Sequence, residues 1–129
     1  MGFRSLFRYG VFLLPVLLLA GCNGEPLPPA ADPARAKSAL QTALDAWQKG
    51  ENVESLKQRS PAIYFNEPQC NERNRLLKYE IESEEPNALS WRCRALLTVQ
   101  TGDAKPKEIK ANYLIDTGTA IVIVRDSMK

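Results

Sequence analysis

Residues 91–99 read WRCRALLTV, and apolar side chains occupy every second position of this stretch. A period of two is typical of a β-strand with one face against a core. Similar alternation occurs at 77–82 and 108–115, and residues 120–124 are almost wholly apolar. Short breaks rich in turn-forming residues separate these stretches, at 85–87, 102–103 and 117–118. The pattern therefore predicts four consecutive strands linked by hairpins, an antiparallel meander.

Upstream of this region the apolar period lengthens to that of a helix. Asp32 and Pro33 are a typical helix start, an N-cap oxygen followed by proline, and Gly50 is a typical helix end. A second, shorter helix is expected over 53–59 and a short strand over 62–65. The predicted fold class is α+β, with an N-terminal helix packed on a curved four-stranded antiparallel sheet. The face of the helix that packs on the sheet is an apolar stripe of Ala36, Ala39, Leu40, Ala43, Leu44 and Trp47.

The first 21 residues have the organisation of a signal peptide. A start that carries Arg4 and Arg8 is followed by ten apolar residues, 11–20. Ten helical residues rise only about 15 Å, half of a hydrocarbon core, so a permanent span is not expected. The next residues, Leu19-Ala20-Gly21-Cys22, resemble the lipobox of bacterial lipoproteins.

The lipobox resemblance implies that Cys22 receives a diacylglyceryl thioether and becomes the first residue of the mature chain. The alternative is an ordinary signal peptide with a coincidental cysteine. Two or three acyl chains would anchor the protein stably in a membrane. Asn23 at the following position, by the sorting habit of that family, favours the outer membrane over the inner one. The expected location is the bacterial cell envelope, with the domain facing the periplasm.

Residues 22–32 are rich in proline, with Pro26, Pro28 and Pro29. Proline fixes φ and lacks an amide donor, so this segment is predicted to be an extended tether about 30 Å long. The chain then divides into a signal peptide, 1–21, a lipidated tether, 22–32, and a single domain, 33–129.

The predicted order of elements is similar to the cystatin-like and nuclear-transport-factor-like shape, a long helix across an antiparallel sheet. The resemblance covers about residues 33–126 and is one of pattern. Cystatin inhibitors carry Gln-x-Val-x-Gly in a hairpin, whereas the corresponding stretch here is Val99-Gln100-Thr101-Gly102. Protease inhibition is therefore not implied.

Composition narrows the function classes. The chain has 129 residues, no histidine and a net charge of +2. Both excess charges lie in the signal peptide, so the remaining 15 basic residues balance the 15 acidic ones. A neutral domain lacks the basic surface that nucleic-acid binding requires. Without an imidazole, and with only one acidic cluster (80–85) interleaved with basic neighbours, we expect no catalytic residue, cofactor or metal site.

Cys70 and Cys93 would both be exported, where disulfides persist. If the chain runs straight before residue 79, the two cysteines lie about 30 Å apart, far beyond disulfide reach. We therefore expect free thiols; a fold-back around 68–74 would instead allow the bridge.

The register of the last hairpin predicts an exposed apolar face. A two-residue turn at 117–118 would place Val122 opposite Tyr113 on the helix side. The other face should be polar but would carry four apolar residues, so it is expected to bind a protein partner or a second copy. Cover by residues 62–65 or by the short helix is the alternative. The predicted interaction face consists of Leu96, Leu114, Ile121 and Ile123.

Taken together, these features predict a lipid-anchored envelope protein that binds a partner or ligand without catalysis. The alternatives are a small enzyme or ligand carrier with a cavity between helix and sheet, and a structural stalk or assembly factor. A cavity between the helix and the sheet would favour ligand binding.

Overall fold

The computed structural model describes residues 30–127. The signal peptide, Cys22 and most of the tether lie outside the described residues, as do residues 128 and 129. The chain forms a helix, α1 (Pro33–Gln48), a 3₁₀ helix (Val53–Gln58) and five strands. The predicted α+β class is confirmed. The strands are β1 (Ile63–Asn66), β2 (Asn74–Asn87), β3 (Ser90–Thr101), β4 (Lys107–Thr117) and β5 (Ile121–Asp126).

Helix α1 begins and ends where the sequence predicts. The Asp32 side chain accepts hydrogen bonds from the N–H groups of Ala34 (3.0 Å) and Arg35 (3.4 Å), which satisfies donors left free in the first turn. Gly50 follows the helix with φ of +77°, a conformation that glycine adopts without strain. All six residues of the predicted apolar stripe are buried, together with Ala46. The helix packs across one face of the sheet and contacts every strand.

The sheet differs from the predicted four-stranded meander. The described strands form a five-stranded sheet in the order β1-β5-β4-β3-β2, and β1 pairs with β5 in parallel. The prediction of an entirely antiparallel four-stranded sheet is therefore wrong. The short strand predicted at 62–65 corresponds to β1. It joins the sheet at the edge by pairing with β5, so it does not cover the outer face. The Ile121 N–H donates to the carbonyl of Ala62 (2.8 Å) at the start of this pairing.

The β2–β3 hairpin turns later than predicted. The last pair is Asn87 with Ser90, so the turn consists of Ala88 and Leu89 rather than residues 85–87. Pro86 lies inside β2, opposite Trp91. Proline is tolerated there because β2 is an edge strand, where a missing N–H removes no ladder bond to a neighbour. Register irregularities at 76–78 and 81–83 also change the pairing along β2. Tyr79 and Ile81 keep the helix side as predicted, whereas Leu76 replaces Leu77 in the core and Glu84 turns to the helix side.

The β4–β5 hairpin corrects the predicted interaction face. Thr117 pairs with Ile121, which leaves three residues in the loop rather than two. An odd shift in register moves every side chain of a strand to the other face. Ile121 and Ile123 therefore lie in the core, 4% and 0% exposed, and Val122 points outward at 37%. Leu96 and Leu114 lie on the outer face as predicted and are half-buried.

Candidate functional site

The chain enters the domain at a well-defined place. The N–H of Ala31 donates to the carbonyl of Leu89 (2.8 Å), and the N–H of Asp32 donates to Oγ1 of Thr117 (2.8 Å). These bonds attach the last residues of the predicted tether to the β2–β3 and β4–β5 turns. We call this end of the molecule, with the start of α1, the tether end. Helix α1 has 16 residues and runs about 24 Å from it to the far end.

A cleft of about 780 Å³ opens at the far end. Its walls are the end of α1, the 3₁₀ helix, the connection between β1 and β2 and the start of β2. We call it the far-end cleft. Trp47 lies at its base and donates from Nε1 to the carbonyl of Asn74 (3.3 Å), which ties α1 to β2. The predicted alternative placed a cavity between helix and sheet, and this cleft lies where that layer ends.

The charges around the far-end cleft have mixed signs. Glu51 and Lys49 lie on the wall formed by the end of α1, and Glu72 and Arg75 lie on the opposite wall. The asparagines of the cleft are committed to local structure: Asn71 Oδ1, for example, accepts from the N–H of Arg73 (2.9 Å). The cleft therefore offers charged groups of both signs at its rim above a base that includes apolar side chains.

A buried carboxylate holds the connection that forms one wall of this cleft. Glu67 directly follows β1, and its side chain has no exposed surface. Arg125 Nη1 donates to both carboxylate oxygens (2.6 and 2.7 Å), and the hydroxyl of buried Tyr113 donates to Oε1. The N–H of Gln69 donates to Oε2 (2.9 Å). We call Glu67, Tyr113 and Arg125 the clasp, and its complete set of partners explains how a charge is tolerated inside the domain.

Sequence reasoning missed the clasp. Glu67 is separated from Tyr113 by 46 residues and from Arg125 by 58. A single acidic residue beside a proline carries no periodic signal, so only the parallel β1–β5 pairing brings these groups together. Burial, and then the charge of Glu67, raise the pKa of the Tyr113 hydroxyl far above its usual range. Tyr113 therefore remains a neutral hydrogen-bond donor.

Both cysteines of the domain are free thiols. The chain does fold back before β2, where the N–H of Cys70 donates to the carbonyl of Glu67 (2.9 Å). The assumption of a straight run, on which the expected separation rested, is therefore wrong. Burial and the charge of Glu67 raise the pKa of Cys70 to about 11. Burial, and to a smaller degree Glu84, raise the pKa of Cys93 to about 11. Nucleophilic cysteines have lowered pKa values, so neither thiol is activated.

The acidic cluster at 80–85 does not form one site. Glu84 faces the helix and pairs with Lys37 (3.1 Å), whereas Glu85 pairs with Arg92 (3.4 Å) on the outer face. Paired catalytic carboxylates must flank one substrate. Among residues 30–127, no group of three acidic or cysteine side chains is placed to hold a metal ion. In the same residues no helix is long and apolar enough to cross a membrane.

The outer face of the sheet is partly apolar. Tyr64 (42% exposed) lies beside Val122 across the β1–β5 pair, and Val124 lies opposite Leu114. Beyond them Arg92 bonds Asp126 (3.4 Å), so the face becomes polar towards β2. Of the four residues predicted for an interaction face, the structure brings only Leu96 and Leu114 to this surface.

No protein-family model, no curated protein and no solved structure matches this chain.

Proposed function

We propose that this chain is a lipid-anchored protein of the bacterial cell envelope that acts as a non-catalytic binding module. The lipobox Leu19–Cys22, placed directly after a short apolar run and before a proline-rich tether, carries the proposal. A thioether at Cys22 would fix the chain to the membrane, and Asn23 favours the outer membrane.

The position of the far-end cleft supports a role in binding. The tether would join the domain at Ala31 and Asp32, and the cleft lies about 24 Å away at the other end of α1. A domain held at one end presents its opposite end to the periplasm. The cleft volume falls within the range of small-molecule sites. We therefore assign the far-end cleft, rather than the sheet face, as the site for a soluble ligand.

The state of the reactive groups supports a role without catalysis. The two thiols are protonated at neutral pH because burial raises their pKa values. The buried carboxylate of Glu67 is fully occupied by donors of the domain itself. The cystatin-like shape remains part of the proposal, supported by a helix that covers one face of the antiparallel run β2–β5.

Self-association through the outer face is a second candidate function. The adjacent exposed side chains of Tyr64 and Val122 favour it. A pair formed through this face would leave α1 and the far-end cleft free, since both lie away from it.

Metabolic labelling with a palmitate analogue tests the anchor. Wild-type protein should incorporate the label, and Cys22→Ser should not, because a serine oxygen cannot form the thioether. Cys70→Ser is the matched control and should label normally. Label retained by Cys22→Ser would refute the anchor, and flotation of membranes on a density gradient would assign the inner or outer membrane.

Capture from periplasmic extract tests the cleft. Tagged wild-type protein in detergent should retain a ligand or partner that Glu51→Arg/Glu72→Arg loses. Glu82→Arg/Glu108→Arg introduces the same charges at exposed positions outside the cleft and should retain it. Equal capture by both variants would contradict binding in the far-end cleft.

A further inference from the structure

A second concavity lies at the tether end of the molecule. It is a groove of about 330 Å³ between the first half of α1, residues 59–61 and the starts of β1 and β5. We call it the tether-end groove. Arg35, on its helix wall, lies three residues after the N-cap Asp32, and its Nη2 reaches the carbonyl of Gly118 (3.5 Å) in the β4–β5 loop. The groove therefore opens beside the point where the chain would arrive from the membrane.

The charge of the groove has a single sign. Arg35 and Arg59 line it, and no carboxylate does. Neither guanidinium forms an ion pair within residues 30–127, although acidic and basic residues are equally numerous there. Two unpaired arginines beside one concavity attract an anion with several acceptor oxygens, because the guanidinium fork matches carboxylate and phosphate.

The floor of the groove is apolar. Ala39, Ile63 and Ile121 form it, and each is 4–5% exposed, so the core reaches solvent here. The hydroxyl-bearing residues Ser38, Thr42 and Ser60 also line the groove. An inorganic anion would use the cations and leave the floor wet. A ligand with an anionic head and a short adjoining apolar portion would satisfy both.

We infer that the tether-end groove binds the phosphate of an anionic membrane phospholipid, with the glycerol and first methylenes of that lipid on the apolar floor. The volume suits a headgroup and is too small for whole acyl chains. A tether of about 30 Å lets the domain lie against the bilayer with the groove turned towards it. The inference rests on the proposed lipid anchor for its encounter with the membrane. It would orient the domain and keep the far-end cleft facing away.

Native mass spectrometry of the full-length protein in neutral detergent tests this inference. Phosphatidylglycerol or phosphatidylcholine is added at equal mole fraction, and the fraction of protein that carries one lipid is measured. Wild-type protein should retain phosphatidylglycerol in preference to phosphatidylcholine. Arg35→Gln/Arg59→Gln should lower the retained fraction by about tenfold or more, since each charge-assisted contact is worth about that factor. Lys49→Gln/Arg75→Gln removes the same two charges at the far-end cleft and should have no effect.

A second variant guards against a loss caused by misfolding. Ser38→Glu places a carboxylate in the groove lining at an exposed helix position, so it should reduce phosphatidylglycerol binding while its circular dichroism melt stays unchanged. Equal retention of the two lipids by wild-type protein would overturn the inference. So would an equal loss of phosphatidylglycerol in Arg35→Gln/Arg59→Gln and in Lys49→Gln/Arg75→Gln. An increase in melting temperature with inorganic phosphate that needs Arg35 and Arg59, without lipid retention, would assign a free phosphate instead and also overturn it. The same spectra report the covalent acyl mass at Cys22, so failure of the anchor is read separately.

Discussion

The two ends of helix α1 carry two concavities of opposite character. The far-end cleft is large, has charges of both signs and borders a buried ion pair. The tether-end groove is less than half that volume and has an apolar floor and only cationic charges. One end is held by a charge network between distant strands, and the other by an N-cap and backbone bonds to turns. The two ends of the helix therefore differ in volume and charge, and our proposals assign a membrane lipid to one end and a soluble ligand to the other.

The largest expected effect is at the clasp. Arg125→Met leaves the fully buried carboxylate of Glu67 without its cation, and breaking a buried pair in this way costs about 3–5 kcal/mol. Chemical denaturation of the non-lipidated chain from residue 22, with Cys22→Ser, measures the free energy of unfolding. Adding Glu67→Gln should recover part of the loss, because a neutral amide needs no counter-charge. A loss below about 1 kcal/mol for Arg125→Met would show that the far end does not depend on the clasp.

The tether end should respond more weakly. Asp32→Ala removes the N-cap acceptor of α1 and should lower the free energy of unfolding by about 1 kcal/mol. Asp32→Asn keeps an acceptor at the same place and is the matched control. If Asp32→Ala costs as much as Arg125→Met in the same denaturation experiment, the two ends do not differ in the way described above.

Features that depend on residues close together in the sequence were predicted correctly, whereas features that depend on residues far apart were not. Helix α1 was predicted at both ends because Asp32, Pro33 and Gly50 act within one turn of the boundary. The strands were found by alternation, but their registers depend on loop length, and one extra residue in the β4–β5 loop exchanged the faces of β5. The strand at 62–65 was predicted, but its parallel pairing with β5 has no local signal, so its place in the sheet and the clasp were not predictable.

The concavities illustrate the same limit. The residues of the tether-end groove come from α1, the segment before β1 and the start of β5, which the sequence keeps far apart. Arg35 and Arg59 are unremarkable in the sequence, where each has acidic residues nearby. Only their place beside a shared apolar floor distinguishes them from solvated surface charges.

The alkylation rates of the two thiols give a chemical test of the far end, with a smaller expected effect. Cys70 lines the far-end cleft and is half-buried, whereas Cys93 is buried under α1. With both pKa values raised to about 11, alkylation by iodoacetamide should be slow at pH 8 and accelerate as the pH approaches 11. Cys70 should react before Cys93 because it is accessible without unfolding.

The raised pKa values of the two thiols also determine how the free energy of unfolding changes with pH. Each thiol is neutral in the folded state, and its pKa there lies above the unfolded value near 9. Its contribution to stability is therefore complete below pH 9 and is lost as the pH rises towards 11. Mass spectrometry of non-reduced, alkylated protein checks the thiols directly, and a peptide that links Cys70 to Cys93 would contradict the free state.

The smallest effect on stability is expected at the outer face, which belongs to neither end. Val122→Lys changes a side chain that is 37% exposed, so the free energy of unfolding should shift by no more than about 0.5 kcal/mol. If the outer face joins two copies, sedimentation should show that the wild-type chain self-associates and that Val122→Lys abolishes this by placing a charge in the contact. Ile121→Lys is the matched control one residue away: it buries an unpaired ammonium beside α1 and should unfold the domain. A variant Ile121→Lys that folds and loses only self-association would restore the register with a two-residue turn. It would also remove Ile121 from the floor of the tether-end groove, which would then consist of Ala39 and Ile63.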